Sequence, residues 1–272
     1  MSQNLRGPLS CVVLGALVLF GAPPASAARF LDSTDSLGHE EFRALDASEQ
    51  AQRREKAMRW LRSSKRSVTV ESSAEDLRYG LDCAATAVGH CPYLAEAWIQ
   101  YADVASVLGR LEIAASCLDH ARRAIPYDLD ANSRDRNLAE CERVQALVSY
   151  NLADFDASLE SALFVIERQP SDWETRLLAA RGLVRKGRHD EAFRLIALYP
   201  VDGPHAAAAS ALSGVIELDR GRLDAAKSEF SRAAAMGLED SVFENDRGRL
   251  DLALGDHASA AATSVGQSSC SR

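Results

Sequence analysis

The chain has 272 residues, 47% of them hydrophobic and 26% charged, which excludes a disordered tail and leaves room for two ordinary domains or one elongated array. A net charge of −8 and a pI near 5.3 deny it the basic footprint that a phosphate backbone requires, so nucleic acid is not an expected partner. Ala is abundant and aromatics are only 6%, a balance that favours helix over sheet because Ala loses no side-chain entropy on entering a helix.

The first segment, residues 1–27, has the three parts of a secretory signal. Arg6 supplies a short positive start, Cys11 to Ala22 an apolar core of twelve residues, and Ala25-Ser26-Ala27 the small side chains before a cleavage point. As a helix that core would rise about 18 Å, short of the roughly 30 Å hydrocarbon thickness. Cleavage after Ala27 and a periplasmic or secreted mature chain are therefore expected. Membrane contact is expected only if the segment stays uncleaved as an anchor. Residues 28–66 follow as a charged stretch with a thin apolar stripe, which suits a helical cap solvated on one side. A helix pair is expected at 45–64 and 73–89, with Gly80, Ala84 and Ala87 on its packing face.

From residue 67 to 264 the chain reads as a repeat array, with clear units from about 95. Three columns of small residues recur: Ala102, Ala146, Ala180, Gly214 and Gly248; Gly109, Ala153, Gly187, Gly221 and Gly255; Ala114, Ser158, Ala192, Ala226 and Ala260. The last three intervals in each column are 34 residues, and the first is 44, a repeat with ten residues inserted. Helix pairs are expected near 95–108 and 111–124, 135–152 and 155–168, 171–186 and 189–198, 205–220 and 223–236, and 241–254 and 257–264. Residues 265–272 are small and polar and read as a flexible tail.

These residues resemble the tetratricopeptide repeat family, whose pattern W-x₂-L-G-x₂-Y…A-x₃-F…P is best met by Trp98, Tyr101, Ala102, Ala105, Ala114, Leu118 and Pro126. Ala226 to Phe230 repeats the A-x₃-F element, and Pro170 closes the second unit as Pro126 closes the first. The later units lack the Trp and the closing Pro. The resemblance implies an all-α, right-handed superhelical solenoid of antiparallel helix pairs. It also implies that the first helix of each pair lines a concave groove, with Ile99, Asp103, Arg143, Leu147, Leu177, Arg181, Arg185, Ala211, Val215, Asn245 and Arg249 facing inward. Leu177, Arg181 and Arg185 stand four apart on one stripe. With Arg143 and Arg249 they would offer positive charge to a carboxylate-bearing peptide; the alternative is that these arginines are solvated or paired with the chain's own acids.

Five cysteines lie beyond the signal segment: Cys83, Cys91, Cys117, Cys141 and Cys270. Cys117, on a second helix, and Cys141, on the next first helix, are placed to pack together and form the candidate disulfide; burial of all of them as small apolar side chains is the alternative. No Cys-x-x-Cys or His-Glu-x-x-His spacing occurs, and Cys117 with His120 is too little for a metal site, so neither a metal nor a cofactor is expected. No nucleophile elbow or phosphate-cradling loop is present, which leaves no positive reason for an enzyme. The sequence therefore points to an exported protein–protein interaction scaffold or assembly factor of the cell envelope. The alternative is an accessory subunit or metal- or redox-linked periplasmic protein using its cysteines.

Overall fold

A computed structural model describes residues 38–69, 72–128, 130–197, 199–200, 203 and 205–255. The signal segment, the expected last helix at 257–264, Ala260, Cys270 and the tail lie outside the described residues. Every regular element among the described residues is helical, and none of these helices is long and apolar enough to cross a membrane. The chain divides into two compact units, one ending at Arg168 and the other beginning at Gln169.

The first unit opens with a short helix, α1 (His39–Ala44), followed by the hairpin α2 (Ala47–Ser67) and α3 (Ala74–His90). Next come α4 (Ala95–Val107) with α5 (Leu111–Ala124), a 3-10 turn at Ile125–Tyr127, and α6 (Ala131–Asn151) with α7 (Phe155–Arg168). The second unit holds α8 (Trp173–Arg185) with α9 (His189–Ile196), α10 (Ala206–Asp219) with α11 (Leu223–Ala235), and α12 (Ser241–Ala253). These bounds fall within a few residues of those expected from the small-residue columns. α2, from the charged stretch before residue 67, and α3 form the helix pair expected at 45–64 and 73–89, with α2 packed along α3 and meeting α4.

Each column has a distinct physical job. The second column forms the turn. Gly109, Gly187, Gly221 and Gly255 have φ between 71° and 80°, and Ala153 occupies the same left-handed region at 61°. After α4, the Gly109 N–H donates to Ser106 O at 3.0 Å and the Arg110 N–H to Ala105 O at 2.8 Å, the paired bonds of a Schellman C-cap. The pattern recurs after α6, α8 and α10, where the 5→2 bonds run from Ala153 to Tyr150, Gly187 to Val184 and Gly221 to Leu218. Three residues thus reverse the chain while satisfying the last carbonyls of the first helix.

The first and third columns meet where the two helices cross. Ala102, Ala146, Ala180, Ala114, Ala192 and Ala226 are fully buried, and the Ser158 hydroxyl on α7 donates to Ala146 O on α6 at 2.8 Å. Gly214 has a sharper requirement: a Cβ there would lie 2.5 Å from Cδ1 and Cε1 of Phe230. At the position of Phe230 the other hairpins carry Leu118, Ala162 and Ile196, and there the first column can hold Ala. The earliest hairpin uses a variant in which Ser64 on α2 donates to Gly80 O at 2.7 Å, with Gly80, Ala84 and Ala87 all buried.

Asp side chains start four of the first helices, α2, α6, α8 and α12. Asp46, Asp130, Asp172 and Asp240 each accept from the backbone N–H three residues on, which satisfies an orphan donor and places a carboxylate at the positive helix end. The core of the first unit is built on Leu61, Val88, Trp98, Val104, Leu118, Val144 and Val148. In the second unit, Val215, Ala226, Phe230, Phe243 and Leu250 form one cluster around α10, α11 and α12.

The turn column separates backbone cost from packing cost, because a Cβ added at Gly221 meets nothing within 4 Å. Gly221→Ala is therefore expected to lower unfolding free energy by about 1 kcal/mol through the left-handed backbone alone. Ala153→Gly, relieving the same strain, is expected to hold or raise stability. Chemical denaturation of both variants beside the parent checks the pair.

Candidate functional site

The candidate surface is the set of faces presented by the first helices. In the first unit these are α2, α4 and α6, tied laterally by ion pairs. Lys65 Nζ of α2 lies 2.5 Å from Glu96 Oε1 of α4. Arg143 of α6 forms a two-pronged pair with Glu140, at 2.6 Å and 3.0 Å, and its guanidinium lies 3.8 Å from Asp103 Oδ1 of α4. Arg143 is 5% exposed and Asp103 8%, so this cluster is an internal fastening rather than a pair of charges offered outward. Burial pushes the Asp103 carboxyl above its ordinary range, opposed by the Arg143 charge. At Glu140 partial burial acts against ionisation, and the charge and hydrogen bonds of Arg143 override it and hold the carboxyl below its ordinary range. Ile99 and Leu147 are also buried.

In the second unit the corresponding face is built by α8, α10 and α12. Leu177 is 2% exposed and Val215 9%, which makes both of them core residues. Arg249 of α12 reaches Asp219 of α10 at 2.8 Å and its own Asp246 at 3.0 Å. Burial raises the Asp246 carboxyl despite Arg249 and the more distant Arg181. Ala211 and Arg181 are half-buried, while Arg185 and Asn245 are exposed. Of the four arginines that the sequence grouped as a positive surface, Arg143 and Arg249 are thus engaged with the chain's own acids. Arg181 and Arg185 stand one turn apart on α8, Arg185 exposed and Arg181 half-buried.

The cysteines are settled in the core. Cys83, Cys91, Cys117 and Cys141 are free thiols, all buried. α5 and α6 pack as the repeat predicts, so that Cys141 Sγ points at Leu118 O, 3.9 Å away, but Cys117 and Cys141 stand unbridged. Burial pushes both thiols up to about 12.

One cluster escaped the sequence reading. His39 and Phe42 of α1 lie against Tyr93, with ring centroids 4.8 Å and 5.8 Å away, and Tyr93 packs edge-on against Tyr127 at 4.6 Å. His120 stacks on Trp98 at 4.4 Å. A signal was present in the chain, since Pro92-Tyr93 and Pro126-Tyr127 are 34 residues apart and hold equivalent places in consecutive repeats. Nothing local to His39 announces its partners, which stand 54 or more residues away.

No family model and no curated protein matches the sequence. Among solved structures, the chain is similar to PilW, described as a widely conserved type IV pilus biogenesis factor, with a TM-score of 0.58 at 14% identity over 82% of this chain and 93% of that one. It also superposes, more loosely, on YrrB, described as a TPR protein with an unusual peptide-binding site, with a TM-score of 0.49, 18% identity, and 80% and 98% of the two chains covered. The chain has a tetratricopeptide-type fold. A tetratricopeptide repeat protein from Parabacteroides merdae ATCC 43184 aligns over 84% of this chain and 96% of its own, at 15% identity and a TM-score of 0.39.

Two outcomes are expected from the buried groups. Arg143→Ala should cost about 3 kcal/mol by stranding the Asp103 carboxylate in the core, whereas Arg249→Ala, on a partly exposed pair, should cost less than about 1 kcal/mol; urea unfolding ranks them. In the folded protein at pH 8, Cys117 and Cys141 should resist an aqueous thiol reagent and react promptly once denaturant is added, as followed by mass spectrometry of the labelled peptides.

Proposed function

We propose that the chain is a non-enzymatic protein-interaction scaffold of the cell envelope, receiving a protein or peptide partner on the faces of its first helices. The observation that carries this reading is the fold itself. Successive hairpins are held in register by small crossings and left-handed turns, and within each unit lateral ion pairs lock the first helices together. Such an arrangement gives a preorganised surface, on which a partner binds without ordering the scaffold first. The likeness to a pilus biogenesis factor supports a role in assembly, and the three-part segment at residues 1–27 supports export to a periplasm or beyond.

The partner's chemistry follows from the side chains left accessible. Arg143 is buried in its ion-pair cluster, and Arg181 and Arg185, four apart on one stripe of α8, are the basic pair we assign to a carboxylate-bearing segment. An Arg181→Glu/Arg185→Glu copy is expected to lose at least about tenfold in capture of an envelope partner by the chain, while keeping the parent's helical content. Quantitative pull-down from envelope extract with both copies reads this directly. Equal capture by both copies would move the partner off α8, and capture of nothing by either would remove the scaffold reading.

A further inference from the structure

The short helix α1 has only six residues, too few to hold a helical conformation in water by themselves. It is held in place by the hairpins. Phe42 is buried, Tyr93 donates from its hydroxyl to His39 O at 3.1 Å, and Arg43 donates to the Tyr127 hydroxyl at 2.5 Å. The Arg43 guanidinium also lies 5.5 Å and 5.1 Å from the centroids of the Tyr93 and Tyr127 rings. At the centre of this contact the His39 ring stacks over the His120 ring with centroids 6.2 Å apart, and His120 in turn covers Trp98. Nε2 of His39 and Nδ1 of His120 are buried and have no hydrogen-bond partner among the described residues.

A neutral imidazole tolerates that setting. A charged one puts an N–H donor where the described residues offer no acceptor, beside a second imidazole and two guanidinium groups. We propose that α1 is an acid-released clasp, detached when His39 and His120 take up protons, and that its release uncovers the rings of Tyr93 and His120. This goes beyond the scaffold reading and does not depend on it.

The charges acting on the pair come from both sides of the contact. Burial lowers His39, and Arg123 of α5 and Arg43 of α1 lower it further. Burial lowers His120, helped by Arg123 and His39 and opposed by the single carboxylate of Asp119. Both imidazoles therefore bind protons less readily docked than free, where their ordinary value is about 6.5. Above that value neither form is protonated and docking keeps its full strength. As pH falls below it, the free form gains protons that the docked form refuses, and docking weakens until the lowered docked values are passed.

Amide hydrogen exchange on the full chain at pH 7.5 and 5.5, corrected for the intrinsic pH dependence of exchange, tests the clasp. Residues 38–46 are expected to exchange about tenfold faster or more at pH 5.5, with α4 unchanged. A His39→Phe/His120→Phe variant keeps two rings that cannot be charged and should stay protected at both pH values. In the parent protein, imidazole resonances followed by NMR should titrate with the same midpoint as the loss of protection. Equal protection of 38–46 at both pH values, acid release in the double variant, acceleration of α4 together with α1, or imidazole midpoints apart from the exchange midpoint would each overturn the proposal.

Discussion

Much of this fold hangs on one backbone requirement, that the turn residue after α4, α6, α8, α10 and α12 enter the left-handed region. Once it does, two backbone bonds close the helix and the chain returns within three residues, so the second helix must lie directly along the first. The tightness of that return leaves no slack at the crossing, and the crossing admits only Ala, Ser or Gly. Where Phe230 replaces a smaller residue on the second helix, the first must give up its last side-chain carbon at Gly214. Turn and crossing are thus one constraint seen at two places.

Charge is arranged around that frame rather than on top of it. An acidic chain with few lysines uses arginine to join neighbouring first helices, and its planar fork suits that task because it can hold one carboxylate two-pronged while reaching a second. Arg143 does this between Glu140 and Asp103 inside the first unit, whereas Arg249 gives one nitrogen each to Asp246 and Asp219 inside the second. The charge of Arg143, buried in such a link, is not offered to a partner. The same economy places Asp at the start of α2, α6, α8 and α12, where one carboxylate both caps and complements the helix dipole.

The helices and their turns were legible because a column at fixed period is a local signal: Gly109, Gly187 and Gly221 each declare their own backbone. Burial of the small-residue columns followed from the same period. The role of the arginines was not legible, since position on a helix face does not say whether an acid from the next helix is within reach. Arg143 and Arg185 both lie on first helices, and one is buried in an ion-pair cluster while the other is exposed. The aromatic cluster under α1 was missed for a related reason: its members come from four separate stretches, and only Tyr93 and Tyr127 share the repeat.

The ten inserted residues between the first and second clear units deserve a physical reading. They are absorbed mostly as helix, making α6 21 residues long against 13 for α4, with the extra length at its N-terminal end because both helices end at the same turn position. Eight more residues add about 12 Å of rise, a little over two turns. Growth at that end leaves the crossing at Ala146 and every downstream position undisturbed. The array can thus change its local reach in steps of a helical turn, as a telescoping post does, without re-registering any hairpin that follows.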